Sequence, residues 1–330
     1  MYFNKPELAA LILLTSAVPA STCWAGTDAS YPQKPVTLVV GYAAGGGADA
    51  LARVLAKHMT AKLQQPVVIE NRPGAASNIA AESVARAKPD GYTLYIGTRS
   101  NAIHKSMYGH FSFDLARDPA PVGLLATVPS VIVAAQHAPV GTVQDLITLA
   151  RAYPRELSFA SPGVGSEAHL ASVLFQQATQ TDLVHVPYRG GAPALVDVIA
   201  GRVDVLFISL PGALPHIRAG KVRALAVTSR LRAATIDNVP TLEEAGVPGV
   251  DSEIWFGLMA PAGTPPQVIA QLNACVNAIL MDAELQRAFM EGGYVAPLQP
   301  NTPETFGRFI AAETTRWTAL IREKNIKPAN

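Results

Sequence analysis

From residue 36 almost to the end of the chain, short apolar runs alternate with longer stretches whose apolar residues recur every three or four positions. Strands buried on both faces, with amphipathic helices laid over them, produce that alternation, so an α/β protein is expected. The runs at 36–40, 66–70 and 92–96 predict the first strands. Between them lie a helix carrying Leu51, Val54, Leu55 and Met59 on one face, and a second opening near Ser77 or Asn78 with Ile79 and Val84 inward. The turn Pro89-Asp90-Gly91 delivers the third strand, and strand–helix–strand–helix–strand is one half of a doubly wound sheet.

Between Pro119 and Pro139 the alternation breaks. Two apolar runs, 122–126 and 131–135, follow each other with no helix between them, as when a chain leaves one domain for another. A helix at 142–152 capped by Thr142 comes next, then a strand at 157–160 and a helix through Leu170, Val173, Leu174 and Phe175. A strand at 183–186, a helix at 194–200 stopped by Gly201, and strands at 203–208 and 224–228 complete this part. A short helix from Val239, a strand-like run at 255–260 and a long helix opened by Pro265 and Pro266 follow. The last helix, 303–324, carries Phe306, Phe309, Ile310, Trp317 and Leu320 on one side as packing residues.

Composition narrows the setting. A chain of 330 residues suits about two domains, and 15% charged residues is well below the roughly 25% of ordinary soluble domains. A net charge of +1 with no basic run gives no argument for nucleic acid or an anionic membrane as partner, and neither is expected. Lys5 ahead of the apolar stretch 8–18, too short to span a bilayer, predicts a signal peptide over residues 1–25 cut after Ala25, with Ala20 as the other cleavage point. Lipid attachment at Cys23 is disfavoured because Ala20-Ser21-Thr22 lacks the usual apolar residue. Once Cys23 is removed, Cys275 stands alone among apolar positions at helical spacing, a buried inert thiol.

Two stretches carry candidate chemistry. Gly41-Tyr42-Ala43-Ala44-Gly45-Gly46-Gly47-Ala48-Asp49 joins a strand to a helix, and Ser161-Pro162-Gly163-Val164-Gly165-Ser166 repeats the device. Glycine lets backbone approach a ligand, and the unpaired N–H groups of a first helical turn attract an anion, so a small carboxylate between the loops is expected. Asp49 reads either as a helix cap or as an acceptor for a ligand hydroxyl or amine, and Asp204 either meets a ligand amine or faces solvent. Arg189, in the loop between a strand and a glycine pair, reads as a charged clamp, with Arg99 a weaker second. The seven histidines show no metal-ligand spacing, so no metal or cofactor is expected, and no nucleophile elbow or phosphate loop occurs. Ser166 and His169 share a helical turn without an acid partner, so a hydrolase is only an alternative to a non-enzyme.

Several motifs then coincide: Tyr31-Pro32, Gly45-Gly46-Gly47-Ala48-Asp49, Glu70-Asn71-Arg72-Pro73-Gly74-Ala75, Pro89-Asp90-Gly91-Tyr92-Thr93-Leu94, His185-Val186-Pro187-Tyr188-Arg189-Gly190 and Ala260-Pro261-Ala262-Gly263-Thr264-Pro265. Across nearly the whole mature chain they resemble the Bug (Bordetella uptake gene) family, receptors of tripartite tricarboxylate transporters. The resemblance implies a two-lobed periplasmic binding protein (type II-like), each lobe a sheet flanked by helices and joined by crossing strands. Lobe I is expected at 27–125 plus 229–330 and lobe II at 126–228. It also implies a periplasmic monomer that closes on a small organic acid (di- or tricarboxylate, aromatic acid or acidic amino acid) and delivers it to membrane permease subunits, with a sensor role as the alternative. Carried over, the ligand-binding residues are Tyr42, Ala44, Gly46, Gly47, Ala48, Thr98 and Ser100 on one lobe, and Ser161, Gly165, Ser166, Tyr188 and Arg189 on the other. Tyr42, Ala43 and Ala44 stand where the family usually has phenylalanine and prolines, and His104-Lys105 where it often has Asn-Pro, so the ligand is expected to differ.

Overall fold

The computed structural model describes residues 1–2, 31–107, 114–115 and 117–326, and the compact unit considered below begins at Pro32. The expected signal peptide and its cleavage point lie outside the described residues, apart from Met1 and Tyr2.

The opening half is as the periodicity predicts. Strands β1 (Val36–Val40), β2 (Val67–Asn71) and β3 (Thr93–Thr98) are parallel with β1 in the middle, and helices α1 (Gly47–Leu63) and α2 (Asn78–Ala85) connect them. Leu51, Leu55 and Met59 of α1 are fully buried, and so is Val84 of α2. Ile79 is 52% exposed instead of inward, lying over Gly74. Helix α3 (Arg99–Met107) starts on the residue after β3, with no turn residues between to announce it.

The two apolar runs around residue 128 are one strand, β4 (Pro119–Ala135). It pairs antiparallel with β9 (Glu253–Pro261) as far as Pro129, and from Ser130 onward with β7 (Val205–Ser209) and β8 (Val222–Val227). Pro129 has no N–H to give, and it stands where the ladder passes from one sheet to the next. The first sheet therefore runs β2-β1-β3-β9-β4. In the second, β4 is followed by β7, β5 (Ser158–Ser161) and β6 (Val184–Pro187), with β8 on the other side of β4. Helices α4 (Val143–Ala152), α5 (Glu167–Thr179), α6 (Gly191–Ile199) and α7 (Leu210–Arg218) flank this second sheet. Thr142 caps α4 through a reciprocal bond pair with Asp145. Like α3, α7 follows its strand without a break.

The short helix expected from Val239 does not form. Its backbone bonds outward, Val227 N–H donating to Pro240 and Leu242 N–H to Val227, which leaves turns beside β8. Helices α8 (Pro266–Leu280) and α9 (Ala283–Gly292) follow, and Cys275 is buried on α8 with its thiol pushed up to about 11 by burial. The final helix, α10 (Pro303–Glu323), packs Phe306 and Ile310 into the core of the first lobe and Trp317 and Ile321 into that of the second. It straps the two together alongside β4. No single helix among the described residues is long and apolar enough to cross a membrane.

Candidate functional site

Both parallel sets present their loops at the carboxyl ends of their strands, where open α/β sheets hold ligands. In the first lobe the loop after β1 and the start of α3 meet there. In the second, β5 lies between β6 and β7, so the loops after β5 and β6 converge with the start of α7. The two loop sets face and touch each other. Glu167 N–H donates to Ser100 Oγ at 3.2 Å, and Ala43 N–H donates to the Arg189 carbonyl at 3.3 Å.

Contact this close depends on missing side chains. A Cβ on Gly47 would lie 2.4 Å from Ser209 Oγ and 3.4 Å from Gly212 N; one on Gly190, at φ +145°, would lie 3.0 Å from Ala43 N. Glycine alone fits both demands at position 190.

Between the loops lies an inner chamber of about 50 Å³, and beside it an outer cavity of about 380 Å³. Tyr42 and Pro162 border both. The first turns of α1 (Gly47, Ala48) and α5 (Ser166, Glu167) wall the chamber, with Thr98, Ser100 and Ser209 supplying hydroxyls. The Tyr42 hydroxyl bonds Ser100 Oγ at 3.1 Å, and burial raises its pKa despite the bonds to Ser100 and Thr98, so it stays a neutral phenol.

Of the residues expected from the sequence, Tyr42, Gly46, Gly47, Ala48, Thr98, Ser100 and Ser166 line the inner chamber, while Tyr188 and Arg189 line the outer cavity. The Tyr188 hydroxyl is engaged elsewhere, donating to Asp197 Oδ2 at 2.7 Å. Ala44 is exposed and borders neither space. Ser161 and Gly165 shape the second loop from behind. Ser161 Oγ bonds His185 Nε2 at 2.7 Å and the Gly163 carbonyl at 3.2 Å, and Gly165 N–H donates to His169 Nδ1. Burial, helped by the neighbouring His185, lowers His169 to about 3, and burial lowers His185 to about 4, so both rings are neutral acceptors or donors near pH 7.

Asp49 sits in the first turn of α1, where it accepts the Gly45 N–H at 2.9 Å and Arg53 Nε at 2.8 Å. Burial opposes its charge, but the bonds from Arg53, Gly45 and Asn71 win and hold it below the usual carboxylate range. It is a brace for the loop. Asp204 is not brought to the chamber. It precedes β7 at the end away from Ser209, and its carboxylate accepts both the N–H and the hydroxyl of Ser158. Arg99 is buried toward α10, ion-paired with Glu313 at 2.8 Å. Ser166 and His169 do not form a nucleophile and base pair, because the Ser166 hydroxyl accepts the backbone N–H of His169 as the cap of α5.

Two features escaped the sequence. Gly74-Ala75-Ala76-Ser77 lines the outer cavity with positive φ at every residue, including 46° and 47° at the two alanines. Such alanines cost about 1–2 kcal/mol each. The turn is held by Asn78 Nδ2 on the Ala75 carbonyl and by Tyr95 on Ser77. His104, which the sequence already marked as a departure bearing on the ligand, also lines that cavity, with Nδ1 2.8 Å from Asn78 Nδ2. Glu167 lines the inner chamber, hidden in the sequence because an acidic residue in a first helical turn reads as a charge on the helix dipole.

Known proteins are similar to this chain in sequence and fold. Residues 51–326 match the family described as the tripartite tricarboxylate transporter family receptor. BugT of Bordetella pertussis is 35% identical, over 98% of this chain and 99% of BugT. An R. palustris protein solved with adipate superposes with a TM-score of 0.86 at 37% identity, over 91% of this chain and 100% of that one. MatC from Rhodopseudomonas palustris, with bound malate, superposes with a TM-score of 0.84 at 32% identity, over 88% of this chain and 100% of MatC.

Proposed function

The chain belongs to the tripartite tricarboxylate transporter receptor family, and from that premise we propose that its inner chamber holds one carboxylate of a small organic acid, in the periplasm, for delivery to membrane permease subunits. The observation that carries this reading is the meeting of two helix N-termini, α1 and α5, across a chamber of about 50 Å³ rich in hydroxyls. Each terminus favours an anion by roughly 0.3–1 kcal/mol before any hydrogen bond is counted. The chamber suits one carboxylate, and the rest of the acid extends past Tyr42 and Pro162 into the outer cavity. Adipate and malate, held by two of the similar structures, are both dicarboxylates and support this division. The hinge lies where β4 changes sheets at Pro129 and Ser130, with the return crossing between Thr228 and Ser252.

Calorimetric titration of ligand-stripped protein with di- and tricarboxylates, aromatic acids and acidic amino acids tests the reading. At least one acid binds with 1:1 stoichiometry; silence across the whole panel overturns it. Arg189, exposed at the rim of the outer cavity, meets the distal carboxylate. Arg189→Ala therefore weakens a dicarboxylate about tenfold, or about 1.4 kcal/mol, and an unchanged affinity removes Arg189 from the site.

A further inference from the structure

Glu167 is an acid in a chamber built for acids. It is the first residue of α5, 4% exposed, and it lines the chamber. Its Oε1 accepts hydrogen bonds from Ser130 at 3.2 Å and Ser252 at 2.9 Å, the residues at the two crossings between lobes. No hydrogen bond to its Oε2 occurs among the described residues. That oxygen is not sealed from solvent, and an open carboxyl oxygen on the wall of a ligand chamber is available to bond the ligand.

The charged and titratable groups around Glu167 do not balance a negative charge there. Arg99 of α3 is the cation acting on it, but that guanidinium is engaged by Glu313 of α10 at 2.8 Å and by Ser252 at 3.3 Å. Tyr42, from the loop after β1, is a neutral phenol, and His169, further along α5, is a neutral imidazole. Burial pushes Glu167 up to about 7 against the opposing pull of Arg99, Ser252 and Ser130. A ligand carboxylate in the same chamber adds a second negative charge, and two carboxylates sharing one site hold a proton between them.

Building on the carboxylate reading above, we propose that Glu167 contacts the ligand as a neutral carboxylic acid. Where it is ionised beforehand it takes one proton from solvent as the acid binds, and it donates its Oε2–H to a ligand carboxylate oxygen. The receptor thus captures its anion together with a proton. The short O–H···O⁻ bond is of the charge-assisted kind. An ammonium group at the same point would need Glu167 ionised, so the chamber selects carboxylate over amine.

The direction of the pH dependence follows. Where Glu167 is already protonated, below neutrality, binding takes up nothing and affinity is flat. Above pH 7 the proton must be acquired, so affinity falls by up to about tenfold per pH unit. The test is calorimetry with adipate, or the panel acid that binds most tightly, at pH 8 in buffers of different ionisation enthalpy. Wild-type protein takes up close to one proton per acid bound. Glu167→Gln keeps a donor at this position but has no proton to gain, so its uptake falls to near zero and its affinity stays level between pH 6 and 8.5. Acids that bind at pH 8 without proton uptake by the wild type overturn the inference alone, and that count needs no variant. A wild-type uptake retained in Glu167→Gln also overturns it. If no acid binds at all, the receptor reading falls and this one with it.

Discussion

Gly47→Val weakens acid binding by at least about a hundredfold, about 2.7 kcal/mol, while the urea unfolding midpoint changes little. Gly47 opens α1 and is not among the residues with positive φ, so its backbone accepts any L-residue. Nothing within its own lobe crowds the position where a Cβ would stand. The neighbours are Ser209 Oγ at 2.4 Å and Gly212 N at 3.4 Å, both from the opposite lobe. A valine is therefore tolerated until the lobes meet, and then its methyl groups occupy both the chamber and the contact. Gly47→Ala is milder, because Ser209 can rotate away from one methyl while the distance to Gly212 N is an ordinary contact. Calorimetry beside urea denaturation separates the two effects. Wild-type affinity in the valine variant would show that closure at this point is unnecessary.

The difference between what was legible and what was not has a physical cause. Periodicity reports burial within one element, so α1, α4 and α10 could be placed from their apolar faces and capping residues. Glycine loops at strand ends were legible because only a few jobs require them, and both proved to border the cleft. Elements joined without punctuation were not. α3 and α7 begin on the residue after β3 and β7, and β4 continues through Pro129 because its pairing partners change while its conformation does not. Pairwise chemistry across the fold was invisible too. Nothing in the sequence says that Asp204 spends its carboxylate on Ser158, that Ala75 and Ala76 adopt left-handed conformations, or that Glu167 lies among hydroxyls from two crossing strands. Those facts depend on residues between 37 and 85 positions apart, or on strain that only the assembled fold can hold.

Glu313→Ala destabilises the protein by about 3–5 kcal/mol, the range for stripping one partner from a buried ion pair. Glu313 and Arg99 are 9% and 6% exposed and bond at 2.8 Å, midway along the helix that spans both lobes. Trp255 Nε1 also donates to Glu313 Oε2 at 3.2 Å, and the Arg99 guanidinium lies 4.7 Å from the Trp317 ring. Removing the carboxylate leaves a buried guanidinium with Ser252 as its remaining hydrogen-bond partner and an indole N–H with none among the described residues. Both are costs of unpaired groups more than of a lost attraction. Replacing Arg99 and Glu313 together by methionine should thus be less damaging than Glu313→Ala alone, since apolar residues of similar volume demand no partner. Urea midpoints at constant m-value measure the comparison. A double variant as unstable as the single one would mean that the pair contributes attraction as well as mutual neutralisation. In either case α10 depends on this one point, where its first-lobe half, anchored by Phe306, turns into its second-lobe half, anchored by Trp317.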